Sequence, residues 1–425
     1  MKLLFPRVIL SALLFALIAG CDEPKIEKIA GTSEETATEG ETSVETEAVA
    51  DEETPAEVQP ATLSEQELAD GWILLFDGHS LFGWTAASEC DWKVVDGAIT
   101  ATEGEAGLLH TTSQFGNYVL KLEFRSVKGG NSGVFLRTDA EAADVKTTCY
   151  ELNIADTGTN DYPTGSLVQR VKCETQQDSE DWQSFEVTAD GPRMVVKVDG
   201  KQVVDYTDPE PIGRGYIGLQ FRIGKIQFRN IKLKPLGGKS LFNGKDLSGW
   251  KEYPDMDSTF AVDDKGWMTV KGGSGQLETE GQYGDFTLQL QSQTNAEGLN
   301  SGIFYRCIPG DKMNGYECQI ENTFKDGDRN KPANCGTGGI FRRQDARRVP
   351  ADDLKPFYLT IHADGPHVAT WVDGYQVADW TDTREPDPNP RRGLRLDPGT
   401  IIIQGHDPTT DLLFRGFNLA ELPPR

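Results

Sequence analysis

Short runs of alternating apolar and polar residues recur along most of the chain. Clear examples are Tyr118–Ser126 (YVLKLEFRS), Phe286–Gln293 (FTLQLQSQ) and Arg193–Gly200 (RMVVKVDG). A period of two places the apolar side chains on one face of a half-buried antiparallel strand. Asp-Gly, Gly-Gly and Gly-Pro pairs predict tight turns between the strands. The one helix that we predict is short and covers Leu63–Ala69, with Ser64 as its N-cap.

The strand pattern occurs twice, because the same blocks return in the same order. LFDGHSLFGW (Leu75–Trp84) matches LFNGKDLSGW (Leu241–Trp250) at an offset of 166 residues, and the block NSGVFLR matches NSGIFYR at an offset of 169. Agreement over this many blocks indicates two copies of one domain, which we place at 68–236 and 239–422. About a dozen short strands per copy are typical of a two-sheet sandwich or jelly roll, so the predicted fold class is all-β.

Residues 1–20 have the pattern of an export signal. They hold two early positive charges, an apolar run too short for a comfortable membrane span, and small residues before Cys21. The end of this stretch, Ile18-Ala19-Gly20-Cys21, resembles the lipobox of bacterial lipoproteins. The resemblance implies that Cys21 is lipidated and holds the protein at a membrane without spanning it; an ordinary signal peptide that abuts a cysteine is the alternative. We therefore predict an exported protein, lipid-anchored to the cell envelope on its periplasmic or outer surface.

Residues 21–66 are predicted to form a disordered acidic tether. Fifteen acidic and two basic residues lie between Asp22 and Glu67, and no aromatic residue is among them. Such a segment cannot bury enough apolar surface to offset the entropy of ordering it. The whole chain has a formal net charge of −25 and no stripe of Lys or Arg, which argues against nucleic acid as a partner. A neutral ligand such as a sugar is compatible with this charge.

Each copy holds three cysteines, and an exported protein permits disulfides. An odd number in each copy implies either a free thiol or a bridge between the copies, and the pairing does not follow from the sequence. Metal ligation by these cysteines is a weak alternative, because no CxxC spacing occurs. The six residues are Cys90, Cys149, Cys173, Cys307, Cys318 and Cys335.

Four blocks taken together carry a family resemblance. The LF(D/N)G…GW block, the NSG(V/I)F.R block, the strand in GYECQI and a distal GLQ-type strand resemble the DUF1080 family, whose members are described as 3-keto-disaccharide hydrolases. The resemblance covers nearly all of 68–422, twice. It implies two tandem concanavalin A-like jelly-roll β-sandwiches after the signal and the tether. It also implies a carbohydrate substrate.

Glu317 is the first candidate for chemistry, in the predicted strand Gly315–Ile320. Strand geometry places Glu317 and Gln319 on one face and the apolar alternates toward the core. Arg306 ends the neighbouring NSG strand, so its guanidinium could orient the carboxylate or hold a substrate oxygen; a structural ion pair between Arg306 and Glu317 is the alternative. The glycine of each NSG block leaves room for another backbone or a ligand.

His406 is the sharpest difference between the two copies. It follows Gln404, in the place where the resembled family has a glutamine followed shortly by a histidine, whereas the first copy has Arg222 there. A neutral imidazole can act as a general base or a metal ligand near pH 7, and an arginine can do neither. We therefore predict a catalytic set of Glu317, His406 and Arg306 in the second domain.

Residues near these three are predicted to bind the substrate, and the first copy has a weaker claim on the chemistry. The block Asn334–Arg348, which is Gly-rich and has four arginines, could rim a cleft or bind an anion. The predicted substrate-binding set is Asn300, Tyr316, Gln319, Gln404, Arg137, Tyr150 and Glu151.

The resemblance implies cleavage of a glycosidic bond in a sugar already oxidised to a ketone at C3. The ketone acidifies the C2 proton, so Glu317 or His406 could remove it while the C1 group leaves by elimination, with water added later. Arg306 or a bound divalent metal ion would stabilise the enolate. Direct hydrolysis with Glu317 as acid/base is the other mechanism left open. The alternative function is a non-catalytic carbohydrate-binding lipoprotein of the cell envelope, because this fold serves lectins as readily as glucanases.

Overall fold

The computed structural model describes residues 61–141, 144–156, 158, 161–174 and 179–425. The predicted export signal, the lipidation site Cys21 and the tether up to residue 60 lie outside the described residues. In the part of the chain that is described, no helix is long and apolar enough to cross a membrane.

The predicted short helix is present as α1 (Glu65–Ala69). Ser64 caps it: the backbone N–H of Glu67 donates to the Ser64 hydroxyl (3.3 Å), and the Ser64 N–H donates to the Glu67 carboxylate (2.9 Å). This reciprocal pair satisfies two N–H groups that the helix itself leaves without partners. Residues 65 and 66, which we assigned to the tether, therefore belong to the folded chain.

Thirteen strands of the described chain form the first sandwich: β1 (Ile73–Leu74), β2 (Trp84–Ala86), β3 (Lys93–Val95), β4 (Ala98–Ala101), β5 (Gly107–Thr111), β6 (Tyr118–Ser126), β7 (Asn131–Thr138), β8 (Tyr150–Ala155), β9 (Gln183–Asp190), β10 (Arg193–Val198), β11 (Lys201–Thr207), β12 (Tyr216–Phe221) and β13 (Ile226–Pro235). One antiparallel sheet has the order β11-β10-β9-β6-β13-β4-β3, with β1 paired to β13. The other has the order β2-β5-β12-β7-β8.

Thirteen further strands of the described chain form the second sandwich: β14 (Lys239–Ser240), β15 (Trp250–Lys251), β16 (Thr259–Val262), β17 (Met268–Lys271), β18 (Gly275–Thr279), β19 (Phe286–Thr294), β20 (Ser301–Cys307), β21 (Tyr316–Ile320), β22 (Phe357–Asp364), β23 (His367–Val372), β24 (Tyr375–Thr381), β25 (Thr400–Gly405) and β26 (Asp411–Glu421). The larger sheet has the order β16-β17-β26-β19-β22-β23-β24, with β14 paired to β26, and the smaller has the order β15-β18-β25-β20-β21. The two sandwiches thus repeat one topology.

The core of each sandwich is filled from the alternating strands. On β6, Leu120, Leu122 and Phe124 are buried, whereas the side chains between them, Lys121 and Glu123, are only half-buried. Burying one such apolar side chain contributes about 1.5–3 kcal/mol. The prediction of an all-β chain with two tandem sandwiches is confirmed.

The two sandwiches pack directly against each other. Trp371 of β23 is 1% exposed, belongs to the core cluster of the first sandwich, and donates its indole N–H to Leu74 O (2.8 Å). His362 of β22 is fully buried, with Nε2 at 3.0 Å from Gln114 O and its ring 4.9 Å from the ring of Phe115. Faces of the second sandwich that a lone sandwich would leave in water are therefore buried in this shared interface.

All six cysteines of the two copies are free thiols in the described part of the chain. Burial raises the pKa of the Cys149 thiol to about 11 and that of Cys335 to about 12. A thiol that stays protonated is a poor nucleophile and a poor metal ligand. Of the two alternatives that the odd cysteine count left open, the structure therefore shows free thiols and no bridge between copies.

Candidate active site

The β20–β21 hairpin positions the candidate site. β20 runs antiparallel to β21, with Phe304 opposite Glu317 and Gly302 opposite Gln319. Cys318 belongs to the core cluster of the second sandwich. Because side chains alternate along a strand, Glu317 points away from the core, as predicted.

The other edge of β21 is covered by the Gly-rich block Asn334–Arg348. Gln319 N donates to Gly339 O (2.8 Å), and Phe341 N donates to Glu317 O (3.0 Å). These backbone hydrogen bonds hold the block alongside the strand. The first two arginines of the block are thereby placed next to Glu317.

Glu317 lies in a cavity of about 430 Å³, a size suited to a small ligand. Glu317 is the single carboxylate among the lining residues, and three arginines accompany it. The other lining residues are Phe304, Met313, Gly315, Tyr316, Ile340, Phe341, Arg342, Arg343, Pro390, Arg391 and Gln404.

The Glu317 carboxyl group is poised to exchange a proton. Burial raises its pKa to about 7, and the positive charges of Arg391 and Arg342 oppose that rise. Its oxygens accept no hydrogen bond from any other residue that the structure describes. A carboxyl group with a pKa near neutrality is present in both protonation states at pH 7, so it can accept or release a proton.

Gly302 of the NSG block makes room for Glu317. A Cβ atom at position 302 would lie 2.9 Å from Oε1 of Glu317 and 3.0 Å from its Cγ. Any larger residue would therefore push the carboxylate aside. The room beside this glycine is taken by the glutamate side chain, and the backbone carbonyl of Cys318 would lie 3.4 Å from the same Cβ.

Gln404 of β25 is the second polar group in the cavity. It is largely buried, and its Oε1 has no hydrogen-bond partner among the described residues. A buried amide oxygen without a partner is uncommon, so a ligand hydroxyl is a suitable donor for it. Gln319 and Asn300 do not line the cavity; Gln319 Nε2 donates to Asn300 Oδ1 (3.0 Å), and Asn300 Nδ2 donates to Glu321 (3.3 Å).

The two predicted tyrosines use their hydroxyl groups for structural hydrogen bonds. Tyr316 lines the cavity, but its hydroxyl donates to Asp382 Oδ2 (2.8 Å) and accepts from Arg395 N (2.8 Å). Tyr150 makes the equivalent bond to Asp208 Oδ2 (2.7 Å) in the first sandwich. Neither hydroxyl is left for a substrate.

Arg306 does not reach the cavity, and its predicted pairing with Glu317 is wrong. β20 has a bulge beside β25, and Arg306 adopts a φ of 47°, so its side chain turns away from the face that carries Glu317. Arg137 has the same bulge, a φ of 50° and backbone carbonyl partners in the first sandwich. The buried Arg306 guanidinium donates to Gly284 O (3.0 Å), Gly365 O (2.6 Å) and Asp285 Oδ1 (2.7 Å).

His406 lies just beyond the end of β25 and does not line the cavity. Its side chain is 42% exposed, and Nδ1 contacts Asp407 Oδ2 (2.8 Å). The three residues of the predicted catalytic set therefore do not converge. Of that set, Glu317 alone lies in the cavity.

Three arginines in the cavity supply the positive charge near Glu317 that we had expected from Arg306. Arg342 and Arg343 belong to the block Asn334–Arg348, which we expected to rim a cleft or bind an anion. Arg391 stands in a separate turn and is held by a hydrogen bond from Nη2 to Met313 O (2.6 Å). The paired arginines of NPRRG were the one sequence signal that could have pointed to it.

The first sandwich has an equivalent cavity of about 530 Å³. Phe135, Glu151 and Gln220 take the places of the phenylalanine, glutamate and glutamine of the second cavity. Burial raises the pKa of Glu151, and the charge of Arg222 opposes the rise. The charged lining residues of this cavity are Glu105, Glu141, Glu151 and Arg222.

A family model described as a 3-keto-alpha-glucoside-1,2-lyase-like domain matches residues 71–234 and 237–419. The chain belongs to this family. The resemblance inferred from the repeated blocks is thereby confirmed for both copies.

A 3-keto-disaccharide hydrolase of Bacteroides thetaiotaomicron is 35% identical to this family member over 79 residues, which cover 16% of this chain and 27% of that protein. A solved structure described as a glycosyl hydrolase of Parabacteroides distasonis is 22% identical, with a TM-score of 0.38, and covers 42% of this chain and 100% of its own. A Bacillus licheniformis β-glucanase is 15% identical to this chain, with a TM-score of 0.30. That match covers 43% of this chain and 96% of the β-glucanase.

The residues described around Glu317 do not fit the divalent metal ion that we considered. In the described ranges, no group of three or more His, Cys, Asp and Glu side chains is placed to hold a metal ion. The polar neighbours of Glu317 are arginines and a glutamine, and arginines repel a cation. No catalytic step is therefore derived through a metal.

Proposed function

We propose that the second sandwich cleaves the glycosidic bond of a 3-keto-glycoside and that Glu317 moves the proton. The observation that carries the proposal is a half-buried carboxyl group, free of hydrogen bonds to described residues, with a pKa of about 7 in a ligand-sized cavity. The family match supports the choice of an oxidised glycoside as substrate. Perturbed carboxyl groups of this kind are typical of general acids and bases.

Elimination suits this cavity better than direct hydrolysis. Most glycosidases use two carboxyl groups on either side of the scissile bond. Glu317 is the single carboxylate that lines the cavity. A 3-keto-glycoside needs one base, because its ketone already makes the C2 proton acidic.

The reaction can be written with Glu317 and one guanidinium. The Glu317 carboxylate takes the C2 proton, and the C–H electron pair moves into the C3 carbonyl to give an enolate. The enolate re-forms the carbonyl while a C1–C2 double bond forms and the C1–O bond breaks, leaving its electron pair on the departing oxygen. Glu317 returns the proton to that oxygen, giving an enone and an alcohol. Arg342 or Arg391 would stabilise the enolate oxygen by charge.

A 3-keto-glucoside assayed with the whole chain tests this function. We expect release of the alcohol together with the unsaturated ketone, detected by mass spectrometry before water adds to it. Deuterium at C2 should slow the release, because that bond breaks. Glu317→Gln should lower the rate by about 10²–10⁴-fold, the usual share of a general acid–base. Unchanged turnover by Glu317→Gln would exclude the proposed role.

Binding without cleavage is the second candidate function, for the first sandwich. Its cavity keeps the glutamate and the glutamine but is also lined by Glu105 and Glu141, whereas the second cavity is lined by three arginines. Additional carboxylates would oppose an enolate rather than stabilise it. Titration of a 3-keto-glucoside into the Glu317→Gln protein should show a second binding event that Glu151→Gln removes. A single event that Glu151→Gln leaves unchanged would contradict this candidate.

We also propose export and lipid anchoring through Cys21, on the basis of the sequence Ile18–Cys21. Metabolic labelling with a fatty-acid analogue should mark the wild-type protein. The Cys21→Ser variant should remain unlabelled. Label retained by Cys21→Ser would overturn the proposed anchor.

A further inference from the structure

The second cavity holds more positive charge than its carboxylate can balance. A neighbouring arginine, Arg384, is neutralised, because its Nε and Nη2 donate to the two oxygens of Asp382 (2.8 and 2.7 Å). Like charges gathered in one place repel each other, and an anion that binds among them relieves the repulsion. Three lining arginines form no ion pair with any acidic residue in the described chain, and we call them the arginine trio: Arg342, Arg343 and Arg391.

In the first sandwich, the residue equivalent to one member of the trio has an acidic partner. There Arg170 takes the place of Arg343, and its Nη1 pairs with Asp208 Oδ2 (2.6 Å). In the second sandwich the corresponding aspartate, Asp382, is paired with Arg384 instead. Arg343 is left without a carboxylate, and burial together with the charge of Arg384 lowers the pKa of its guanidinium.

Arg342 stands at a position where the two sandwiches have the same backbone conformation. Its counterpart is Gln169, and both residues have a left-handed φ, 61° for Arg342 and 60° for Gln169. In each sandwich the preceding N–H donates to the carbonyl of the cavity glutamate, at 3.0 Å in the second and 2.9 Å in the first. The two positions therefore differ in side chain on the same turn.

We propose that the second cavity takes glycosides bearing an anionic group, a carboxylate or a sulfate, and that the arginine trio binds this group. The inference rests on the proposed function in one respect, that the ligand is a glycoside. A guanidinium offers paired N–H donors that match a carboxylate or sulfate. One such group suffices for an enolate oxygen, so the trio exceeds what a neutral substrate needs.

The hydrogen bonds of the trio leave donors free for such a ligand. Arg343 Nη2 donates to Arg391 O (3.1 Å), and Arg391 Nη2 donates to Met313 O (2.6 Å). Each guanidinium has five N–H donors, so most remain unused. The chain as a whole has a formal net charge of −25, which disfavours anions elsewhere on its surface. Attraction of an anion to this cavity is therefore a local property.

Calorimetric titration of the whole chain with unoxidised glycosides tests the inference without turnover. The probes are methyl glucuronide, methyl glucoside 6-sulfate and neutral methyl glucoside at low salt. We expect at least one anionic probe to bind about tenfold more tightly than the neutral one. A tenfold difference in affinity corresponds to about 1.4 kcal/mol, which one charge-assisted hydrogen bond can supply. The tighter of the two anions identifies carboxylate or sulfate as the favoured group. Equal affinity for all three probes would overturn the inference.

Arg342→Gln is the matched variant, because it installs the residue that the first sandwich carries at the same φ. It should lower the affinity for the anionic probe about fivefold to tenfold and leave the neutral probe unchanged. Arg348→Gln removes the same charge from the same block, outside the cavity lining, and should leave both affinities unchanged. An anion preference that survives Arg342→Gln in full would contradict the assignment.

Failure of this inference can be told apart from failure of the proposed function. Glu317→Gln should abolish cleavage of a neutral 3-keto-glucoside and retain the preference for the anionic probe. Cleavage that depends on Glu317 without any anion preference would overturn the inference and leave the function in place. An anion preference with cleavage independent of Glu317 would do the reverse.

Discussion

In both sandwiches a glutamate, buried in the first copy and half-buried in the second, lies on the hairpin of the smaller sheet. It stands beside the glycine of an NSG strand and shares a cavity with a glutamine from the adjacent strand. The surroundings of the two glutamates differ in charge. Glu317 is accompanied by three arginines, whereas Glu151 is accompanied by two further glutamates and one arginine. The same backbone thus presents a cationic cavity in one copy and an acidic cavity in the other.

This difference separates what the fold provides from what the site adds. The fold provides burial, which raises the pKa of both glutamates. The loop side chains decide whether negative charge on a ligand is stabilised or opposed. At two equivalent positions the second sandwich carries unpaired positive charge that the first does not: Arg342 stands where the first has Gln169, and unpaired Arg343 stands where the first has Arg170 paired with Asp208.

The largest expected effect is on stability, and it should be similar for the equivalent arginines of the two copies. Arg306 and Arg137 are both 1% exposed and both anchored by backbone carbonyls. Arg306→Met should lower the free energy of unfolding by about 3–5 kcal/mol, because it leaves the carbonyls of Gly284 and Gly365 without their donor and removes one ion pair of Asp285. Arg137→Met should have a similar cost. Denaturant unfolding measures both; a stable Arg306→Met protein without activity would restore Arg306 to the catalytic set.

A glycine substitution should separate the copies in activity. Gly302→Ala brings a methyl group to 2.9 Å from Glu317 Oε1, whereas at Gly133 the nearest Glu151 atom is at 3.4 Å. Gly302→Ala should lower turnover of a 3-keto-glucoside by about 10–100-fold, since a displaced proton-transfer group loses much of its effect. Gly133→Ala should leave turnover within about twofold of wild type. Equal losses in both variants would contradict the assignment of the chemistry to the second sandwich.

The pH dependence should report the cationic surroundings of Glu317. Its pKa is about 7 in the folded chain, above the ordinary glutamate value of 4.5, and the ionised form is the base. The rate kcat/KM should therefore rise with pH and level off above about 7. Arg342→Gln removes a charge that favours ionisation, so the midpoint should move upward, by about half a unit to one unit. A midpoint that stays fixed or falls would show that Arg342 does not act on Glu317.

The same shift has a consequence for stability. Ionisation is disfavoured in the folded chain, so the free energy of unfolding should be highest below pH 4.5 as far as Glu317 is concerned, and should fall as pH rises toward about 7. Glu317→Gln should remove this fall and so stabilise the protein at pH 8 by about 1–3 kcal/mol. Denaturant unfolding of both proteins at pH 5 and pH 8 measures the difference. An unchanged free energy of unfolding at pH 8 would contradict the claim that the ionised Glu317 carboxylate destabilises the folded chain.

The smallest expected effect is at the position where the sequences differ most. His406 lies outside the cavity lining and is 42% exposed. His406→Ala should change turnover by less than about twofold, as exposed substitutions usually do. A loss of a hundredfold would show that His406 enters the site when substrate is bound.

Much of the fold followed from local patterns, because each pattern has one physical cause. Alternation predicted the strands, and the repeat predicted two sandwiches of one topology. Glu317 and Gln404 were both found, since strand parity fixes the face on which a side chain lies. Arg306 was misplaced because a bulge and a left-handed φ redirect it, and neither leaves a mark on the alternation. Arg391 was missed because it approaches Glu317 from 74 residues away in the sequence.

The central claim is that the two glutamates share a scaffold and differ in task. The most direct test is the turnover of a 3-keto-glucoside by Glu317→Gln and by Glu151→Gln, each made in the whole chain. We expect Glu317→Gln to lose at least about a hundredfold and Glu151→Gln to keep more than about half of the wild-type rate. Equal losses in the two variants, or a greater loss in Glu151→Gln, would contradict it.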